Sequence, residues 1–335
     1  MTSKIWVLGE ALMDCVAQPD GSLRPFMGGS PFNLARAAAL RLGGAKQVAT
    51  GNARKPGVSF INPLSVDSFG DQMRAQFAAD GVQTVLPASR LPTSLAVVQI
   101  KAGQPSYGFY RQGIADRDYS VDQVLALLGR QSGAIAGEAH AERVLHTGSL
   151  LLVPPEHEKV LAVLHGAKAL GWTISVDVNL RPQLAANLAD YIAAVKRVAS
   201  LADWIKASDE DLEWLGFTNP SRRTAAGIAA HFADQGSSRI ALTFGAQGAW
   251  LQVDGQVAQA DVPPVALVDT VGAGDTFWGN CLGDWVADSE QDTAAVRPAR
   301  QRVAATLRNA MCAAAINCSR AGCQPPAYQE VKDFR

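Results

Sequence analysis

The stretch VDTVGAGDTFWGN, residues 268–280, places three small residues directly before an aspartate. Glycine lets a backbone approach a ligand closely, so the small residues predict a loop with exposed N–H groups. Beyond them, apolar residues recur every four positions, as on one face of an amphipathic helix. They are Phe277, Cys281 and Trp285. The stretch therefore predicts a helix N-terminus, where unpaired N–H groups and the helix dipole favour an anion such as phosphate.

Asp275 is the residue of this stretch whose role the local pattern leaves open. One interpretation is a helix N-cap, because Asp is among the residue types preferred there. The other is a general base beside the phosphate, which takes a proton from an attacking hydroxyl. The choice between them depends on the rest of the chain.

The composition of the chain favours a small-molecule partner. Its 335 residues are enough for one α/β domain or two smaller ones. With 30 basic and 31 acidic residues, the net charge of −1 gives no reason to expect nucleic acid or an anionic membrane. The first residues contain no apolar core of signal-peptide length, and no apolar run approaches the roughly 18 residues of a membrane span. We therefore expect a cytoplasmic protein.

The cysteines and histidines give no sign of a metal site. The five cysteines form no C-x-x-C pair and are odd in number, so neither a zinc site nor a disulfide framework is indicated. The five histidines include no H-E-x-x-H pattern. We expect reduced, mostly buried cysteines and no histidine-bound catalytic metal.

Strand-like and helical segments alternate from residue 140 onward, which predicts βαβ units and a mostly parallel sheet. The predicted strands lie in RVLHTG, WTISVDVN, DWIKAS and RIALTFG, and the predicted helices cover about 156–170, 187–200 and 222–235. The run KIWVLG near the N-terminus is apolar throughout, as is typical of a strand covered on both faces. We expect it in the same sheet.

Two segments interrupt this alternation and predict a second, small sheet. SLAVVQI and SYGFYR flank a turn with Gly and Pro, so residues 94–111 form a predicted hairpin, and SLRPFM, residues 22–27, is a further candidate strand. Another hairpin is expected around Asp254-Gly255. Since the chain has no internal repeat and no low-complexity linker, we expect residues 1–335 to form one domain, with a surface loop at residues 43–57.

Two further glycine segments are candidates for backbone contacts with a ligand. Gly28 and Gly29 precede a predicted amphipathic helix, although a turn with a helix cap explains that segment equally well. TFGAQG, residues 243–248, follows a predicted strand, and its threonine and glycines can hold phosphate. A Walker loop is excluded because the chain has no Gly-Lys pair, and a dinucleotide fingerprint is disfavoured because the first strand is followed only by Gly9.

Taken in order along the chain, these segments resemble the ribokinase-like (PfkB) family of carbohydrate kinases. GGSPFNLARAAALRLG, residues 28–43, is similar to the N-terminal signature of the family, and DTVGAGD, residues 269–275, is similar to its C-terminal signature. The resemblance covers nearly the whole chain. It implies a three-layer α/β fold with a mostly parallel central sheet and a small β-sheet lid, whose strands are expected at about 14–30 and 93–112.

The resemblance implies a catalytic role for the second signature. In the family, this segment supplies an anion hole for the transferring phosphate and an aspartate that deprotonates the sugar hydroxyl. These roles fall on Gly272, Ala273 and Gly274 for the anion hole and on Asp275 for the base. The resemblance thus favours the general base over the N-cap.

The resemblance also implies where sugar and nucleotide bind. The sugar hydroxyls are expected to meet Asp14, Gly28, Gly29 and Asn33, and a carboxylate that accepts hydroxyl protons suits a sugar. ATP is expected at Thr243, Gly245 and Gly248, with Ser208 close by.

The metal sites depart from the family pattern. Ser208 and Asp211 stand where the family has an asparagine and a glutamate that help to hold Mg²⁺ and phosphate through water. A shorter acid weakens or relocates that contact. A K⁺ site is expected beside the anion hole, from Asp269 and carbonyls near Val271 and in NCSRAGCQPP, although Pro326 replaces a frequent hydroxyl residue there.

Two more segments resemble those of bacterial fructokinases within the family. They are FYRQGIAD, residues 109–116, and DVNLRP, residues 177–182. This likeness implies ATP-dependent phosphorylation of D-fructose at its 6-hydroxyl, with Mg²⁺ on the nucleotide and Arg181 stabilising the transferred phosphoryl group. Strand alternation places Phe109 and Arg111 on one face, and we expect that face to meet the sugar rather than solvent.

Other substrates and another class of function remain open. 2-Keto-3-deoxygluconate kinase is the closest alternative, and a nucleoside or ribose kinase is further off. A non-catalytic sugar or nucleotide sensor on the same fold is disfavoured by the intact Asp275, since a pure binder has no use for a base there. Exposed lid strands could also pair two subunits into a homodimer.

Overall fold

The computed structural model describes residues 4–18, 20–43, 57–101, 104–134, 143–288 and 299–334. Thirteen strands lie in these residues and form two sheets. They are β1 (Ile5–Val7), β2 (Leu12–Ala17), β3 (Leu23–Gly28), β4 (Val58–Phe60), β5 (Val82–Thr84), β6 (Ser94–Lys101), β7 (Gln104–Tyr110), β8 (Val144–Gly148), β9 (Thr173–Asp177), β10 (Trp204–Ser208), β11 (Arg239–Thr243), β12 (Ala249–Val253) and β13 (Gln256–Ala260).

The large sheet has the strand order β13-β12-β11-β10-β9-β8-β1-β4-β5. Strands β11 to β5 of this order are mutually parallel, and β12 and β13 are antiparallel additions at one edge. The predicted parallel sheet is confirmed, with the KIWVLG run near its middle as β1. The carboxyl ends of the parallel strands lie along one edge, where Gly148 pairs with Asp177 and Ser208 with Thr243. That edge is where open α/β sheets bind ligands.

Helices cover both faces of the large sheet. They are α1 (Ser30–Arg41), α2 (Ser68–Asp80), α3 (Val121–Ala134), α4 (Glu156–Ala169), α5 (Leu188–Ala199), α6 (Asp209–Leu215), α7 (Ala225–Asp234), α8 (Ala273–Asp288), α9 (Ala299–Cys318) and α10 (Tyr328–Asp333). Side chains of β1 alternate between the faces: Ile5 and Val7 belong to the core formed with α1, α2, α8 and α9, and Trp6 belongs to the core formed with α3 to α7. The result is the predicted three-layer fold. Within the described ranges, none of these helices has the length and apolarity needed to cross a bilayer.

The small sheet has the order β3-β2-β6-β7. Strands β6 and β7 confirm the predicted hairpin at residues 94–111, and β3 confirms the candidate strand SLRPFM. The second predicted hairpin is also confirmed, because β12 and β13 join at Asp254 and Gly255, whose φ angles of 48° and 80° suit a tight hairpin turn. Residues 44–56 of the predicted surface loop and residues 102–103 of the first turn lie outside the described residues. The assignment of the whole chain to one domain stays a prediction.

Helices α1 and α8 approach each other closely through two glycines of α8. A Cβ atom on Gly279 would lie 2.8 Å from both the Leu34 carbonyl oxygen and the Ala37 Cβ, and one on Gly283 would lie 2.7 Å from the Arg41 Cγ. The first contact involves backbone, which cannot yield as a flexible side chain does. This packing sets the distance between the beginnings of the two helices, at Ser30 and Ala273.

We expect Gly279→Ala to lower the free energy of unfolding by about 1–3 kcal/mol, because the added methyl group overpacks the α1–α8 contact. Gly227→Ala is the matched control: Gly227 lies in α7 with open space at its Cβ position, so alanine there should be neutral or stabilise by up to about 1 kcal/mol. Urea unfolding of both variants checks the difference. Equal stability of the two would contradict the close contact.

Candidate active site

Helix α8 begins beside the carboxyl end of β10. Gly272 is its N-cap, because the Thr276 N–H donates to the Gly272 carbonyl oxygen at 2.8 Å. Gly272 has φ +72°, and a Cβ there would lie 2.2 Å from the Cys323 Sγ, so glycine is required by both conformation and space. The N–H of Ala273 donates to the Thr270 carbonyl oxygen at 3.2 Å and thus serves the turn. Its role in an anion hole, like that of Gly272 and Gly274, stays a prediction.

Asp275 lies in the first turn of α8 and is 7% exposed. Its Oδ1 accepts a hydrogen bond from Ser30 Oγ at 2.7 Å, and its Oδ2 accepts one from Asn33 Nδ2 at 2.9 Å. The N-cap interpretation is excluded by the geometry, since Gly272 occupies that position. The carboxylate is instead fixed by two donors from α1, with the helix N-terminus beside it.

Of the two residues that donate to Asp275, the sequence analysis named Asn33 as a candidate site residue and did not name Ser30. Asn33 donates to Asp275, and in the described part of the chain its buried Oδ1 has no hydrogen-bond partner. The predicted contact of Asn33 with a sugar hydroxyl stays a prediction. Ser30 was missed, because a serine at a helix start is read as a cap and its partner lies 245 positions away in the chain.

Asp14 and Gly28 lie on neighbouring strands of the small sheet, where Leu12 of β2 pairs with Gly28 of β3. A Cβ on Gly28 would lie 2.1 Å from Asp14 Oδ2, so any side chain there would displace the carboxylate. Burial raises the pKa of Asp14 to about 6; Arg181 opposes this rise, and the Asp275 and Glu10 carboxylates add to it. The structure thus brings Asp14, Asp275 and Arg181 into one electrostatic neighbourhood.

Glu10 is a second residue that sequence reasoning missed. It is 1% exposed, and its Oε1 accepts the Ser30 N–H at 3.2 Å. Burial raises the pKa of Glu10, and Arg111 is the main influence that lowers it. The Glu10 carbonyl oxygen also explains Gly29, which has φ +101° and would bring a Cβ to 2.7 Å from that oxygen. Glu10 could have been recognised in the sequence as an acidic residue that directly follows the apolar run KIWVLG.

Arg111 is buried, not exposed to solvent. It is 8% exposed and its Nη2 donates to the Leu150 carbonyl oxygen at 3.3 Å, whereas the preceding Tyr110 is 64% exposed. The predicted alternation is confirmed, and Phe109 packs with Leu12 and Leu150 on the inner face. In the described residues, the Arg111 Nε has no hydrogen-bond partner.

Three carboxylates and the Arg117 guanidinium act electrostatically on Arg111. Burial lowers the pKa of Arg111 below its usual value, although the charges of Asp116, Glu10 and Glu156 oppose this change. Burial also raises the pKa of Asp116 to about 7. Neither carboxylate oxygen of Asp116 has a hydrogen-bond partner among the residues that the structure describes.

Arg181 is folded back on its own segment. Its Nη1 donates to the Asn179 side-chain oxygen at 2.5 Å and to the Leu180 carbonyl oxygen at 2.9 Å. The backbone N–H of Arg181 donates to the Tyr191 hydroxyl at 3.0 Å. Its charge acts on Asp14 and Glu10. The predicted contact with a transferred phosphoryl group stays a prediction.

The expected nucleotide segment lies at the same sheet edge. Thr243 ends β11, and a short helical turn, Gly245–Gln247, follows it. Gly248 has φ +88°, and a Cβ there would lie 2.1 Å from the Ala260 carbonyl oxygen of β13. The structure therefore shows a packing reason for Gly248, and the ATP contacts of these residues stay a prediction.

Ser208 and Asp211 form a capping box at the start of α6. Asp211 Oδ2 accepts the Ser208 N–H at 2.8 Å, and Oδ1 accepts the Leu180 N–H at 2.7 Å. Asp211 is 4% exposed and both its oxygens serve the fold, so they suit direct metal binding poorly. The S-x-x-D pattern in the sequence is the signal for this cap.

The residues expected around K⁺ do come together. Asp269 Oδ1 accepts the Val271 N–H at 3.0 Å, and Oδ2 accepts the Gly322 N–H at 2.9 Å. The Val271 carbonyl oxygen accepts a hydrogen bond from Asn317 Nδ2 at 2.8 Å. Across the described ranges, no group of three or more His, Cys, Asp or Glu side chains could hold a metal ion. A cation here would depend largely on backbone carbonyls.

A family model, described as pfkB family carbohydrate kinase, matches residues 2–330. The chain belongs to this family. It is 29% identical over 286 residues to a fructokinase from Rhizobium leguminosarum bv. trifolii, an alignment that covers 84% of the chain and 79% of the relative. The carbohydrate kinase predicted from the two signatures is thereby confirmed.

Solved structures agree with this family membership. A fructokinase from Xylella fastidiosa with bound ATP is 27% identical, with a TM-score of 0.77 over 99% of this chain and 98% of that one. A fructokinase variant from Vibrio cholerae with fructose, ADP and a potassium ion bound is 23% identical, with a TM-score of 0.75 over 99% and 98% of the two chains. The likeness to the second structure confirms the fold alone.

We expect Asp14→Asn to raise the melting temperature more at pH 8 than at pH 4.5. The pKa of Asp14 rises from 3.8 to about 6 on folding, so folding favours the protonated form; stability is lost as pH rises from 3.8 to about 6, and the full loss persists at higher pH. Asparagine removes this cost. Thermal melts at the two pH values check the sign.

Asp20→Asn is the control for this comparison. Asp20 lies on an exposed turn, where the hydrogen bonds of Ser22 lower its pKa, so its replacement should bring no gain at pH 8. A gain for Asp14→Asn that is the same at both pH values would contradict the raised pKa.

Proposed function

We propose that the protein transfers the γ-phosphoryl group of ATP to the 6-hydroxyl of D-fructose. The observation that carries this proposal is the Asp275 carboxylate, held by Ser30 and Asn33 beside the N-terminus of α8. Its support from the comparisons is the family membership and the fructokinase names of relatives that align over most of the chain.

Asp275 is the general base in this proposal. The proton of the sugar 6-hydroxyl moves to the Asp275 carboxylate as the hydroxyl oxygen attacks phosphorus, and the bond between the γ-phosphorus and the β,γ-bridging oxygen breaks to release ADP. Two donors keep the carboxylate oriented, which reduces the reorganisation needed at the moment of transfer. Asp14 and the Asn33 Oδ1 provide acceptors for other sugar hydroxyls.

The start of α8 stabilises the transferred phosphoryl group. N–H groups in the first turn of a helix lack intrahelical partners and lie at the positive end of the helix dipole. The absence of side chains at Gly272 and Gly274 keeps this turn packed against Cys323 and Lys206, and Arg181 adds a positive charge to the same region. The Thr243 to Gly248 turn contacts the nucleotide from the neighbouring strand end.

Mg²⁺ is bound mainly by the nucleotide phosphates and water in this proposal. Mg²⁺ usually keeps several waters and takes few protein ligands, which fits the engaged oxygens of Asp211. When bound, it neutralises charge on the phosphates. K⁺ beside Asp269 and the Val271 carbonyl is the corresponding proposal for a monovalent cation.

The surroundings of Arg111 favour a neutral sugar over a sugar acid. Glu10, Asp116 and Glu156 already act on this guanidinium, so the carboxylate of 2-keto-3-deoxygluconate would add a further negative charge to the group. Fructose carries no such charge. Its hydroxyls can accept from the Arg111 Nε, which has no partner among the described residues, and can donate to the carboxylates that act on Arg111.

A coupled ADP-release assay with a panel of sugars tests the proposed function. We expect ADP release that requires D-fructose, with weaker release for ribose, nucleosides and 2-keto-3-deoxygluconate. Binding of ATP and sugar without ADP release would identify a sensor rather than a kinase.

We expect Asp275→Asn to lower kcat at least about a hundredfold, because positioned acid–base catalysis contributes on the order of 10² to 10⁴ in rate. The melting temperature should change little, since asparagine can still bond with Ser30. Asp122→Asn is the control, because Asp122 also lies in the first turn of a helix, α3, but on an exposed surface. Near-normal kcat for Asp275→Asn would contradict the base.

We expect kcat/KM for fructose to exceed that for 2-keto-3-deoxygluconate at least about tenfold, which is roughly 1.4 kcal/mol in transition-state binding. Arg111→Ala should impair fructose turnover through a raised KM. Initial rates with both substrates check this. A preference of the wild-type protein for the keto acid would contradict fructose as the acceptor and leave the kinase reaction standing.

A further inference from the structure

A buried ion pair lies beneath the start of α8. Lys206 Nζ donates to Asp177 Oδ1 at 3.0 Å and to Oδ2 at 3.1 Å, and the side chains are 5% and 0% exposed. The two residues lie on adjacent parallel strands, β10 and β9, where Lys206 pairs with Asp177 in register. Lysine is rarely buried to this extent unless it is paired.

Lys206 also lies against the predicted anion hole. A Cβ on Gly274 would be 2.9 Å from the Lys206 Nζ and 3.6 Å from its Cε, so the ammonium group is directly below the Gly274 backbone. Burial alone would lower the pKa of Lys206, but Asp177, Asp211 and Asp275 outweigh it and raise the pKa. The lysine is therefore a fixed positive charge.

His146, a buried histidine close to Lys206, is neutral. Burial, with a smaller effect of Lys206, lowers the pKa of His146 to about 3. His146 Nδ1 lies 3.0 Å from Ser175 Oγ, which also accepts from Trp278 Nε1 at 3.0 Å. On this side of the sheet, Lys206 thus offsets the charges of Asp177, Asp211 and Asp275.

We propose that Lys206 is a positioning residue for phosphoryl transfer. Its charge, held in place by Asp177, lies behind the Gly274 backbone and offsets the repulsion that Asp275 and its neighbouring carboxylates exert on the incoming phosphate. The inference rests on the proposed function, because it requires an anion at the start of α8. Preorganised charge of this kind acts most strongly where negative charge develops in the transition state.

Two variants that differ only at Lys206 test this proposal. Asp177→Asn keeps an oxygen that can accept from Lys206, and the double variant Asp177→Asn, Lys206→Met removes the ammonium without leaving a buried carboxylate unpaired. Asp177→Asn is the reference variant: because it alters the residue that holds Lys206, we expect its kcat to fall below that of the wild type but to remain measurable. The double variant should lose at least about tenfold relative to Asp177→Asn, with a similar melting temperature and KM for the sugar.

The affinity for ADP with aluminium fluoride, a mimic of the transition state, distinguishes a positioning role of Lys206 from a purely structural one. In the double variant, the Kd of ADP with aluminium fluoride should weaken at least about tenfold, while the Kd of ADP alone stays within about twofold. Equal kcat for the two variants would overturn the role of Lys206. So would an equal rise in the Kd of ADP with aluminium fluoride and in the Kd of ADP alone. If Asp177→Asn and the double variant both lost stability and activity to the same extent, a structural pair would be the correct account. A wild-type protein with no kinase activity on any sugar would instead contradict the proposed function itself.

Discussion

The contact of Asp275 with Ser30 and Asn33 is the interaction on which the candidate site depends. It exists because α1 and α8 pack backbone to backbone through Gly279, which leaves no space for a side chain. The two helices enter the site from different regions of the chain, and each begins with glycine. Their packing thus fixes a carboxylate beside a helix N-terminus, which combines a proton acceptor with a place for phosphate.

Excess negative charge is the main electrostatic difficulty of this site. Burial raises the pKa of Asp14 to about 6, and the Asp275 and Glu10 carboxylates add to this rise. A nucleotide phosphate brings further negative charge to the same edge of the sheet. Arg181 acts on Asp14 and Glu10 from one side, and Lys206 lies beneath the start of α8 on the other. The proposed chemistry depends on these two cations as much as on the base.

The sequence predicted the fold and the glycine loops well, because apolar runs, turn residues and bare backbone are local signals. It could not predict which side chains meet across the fold, such as Ser30 with Asp275. Lys206 inside the apolar run DWIKAS was a usable signal, since a lysine in a strand covered on both faces needs a partner. Asp211 shows another limit: its position in a family pattern implies a metal contact through water, which stays a prediction, whereas the structure shows its Oδ2 in a capping box and its Oδ1 bonded to the Leu180 N–H.

The product of the reaction tests the central claim most directly. The wild-type protein, incubated with ATP, Mg²⁺ and D-fructose, can be followed by ³¹P NMR. We predict a phosphomonoester on the 6-hydroxyl that grows in step with ADP, since the proposed base, Asp275, takes the proton of the sugar hydroxyl. ADP and inorganic phosphate without a sugar ester, or a phosphate on another hydroxyl, would contradict it.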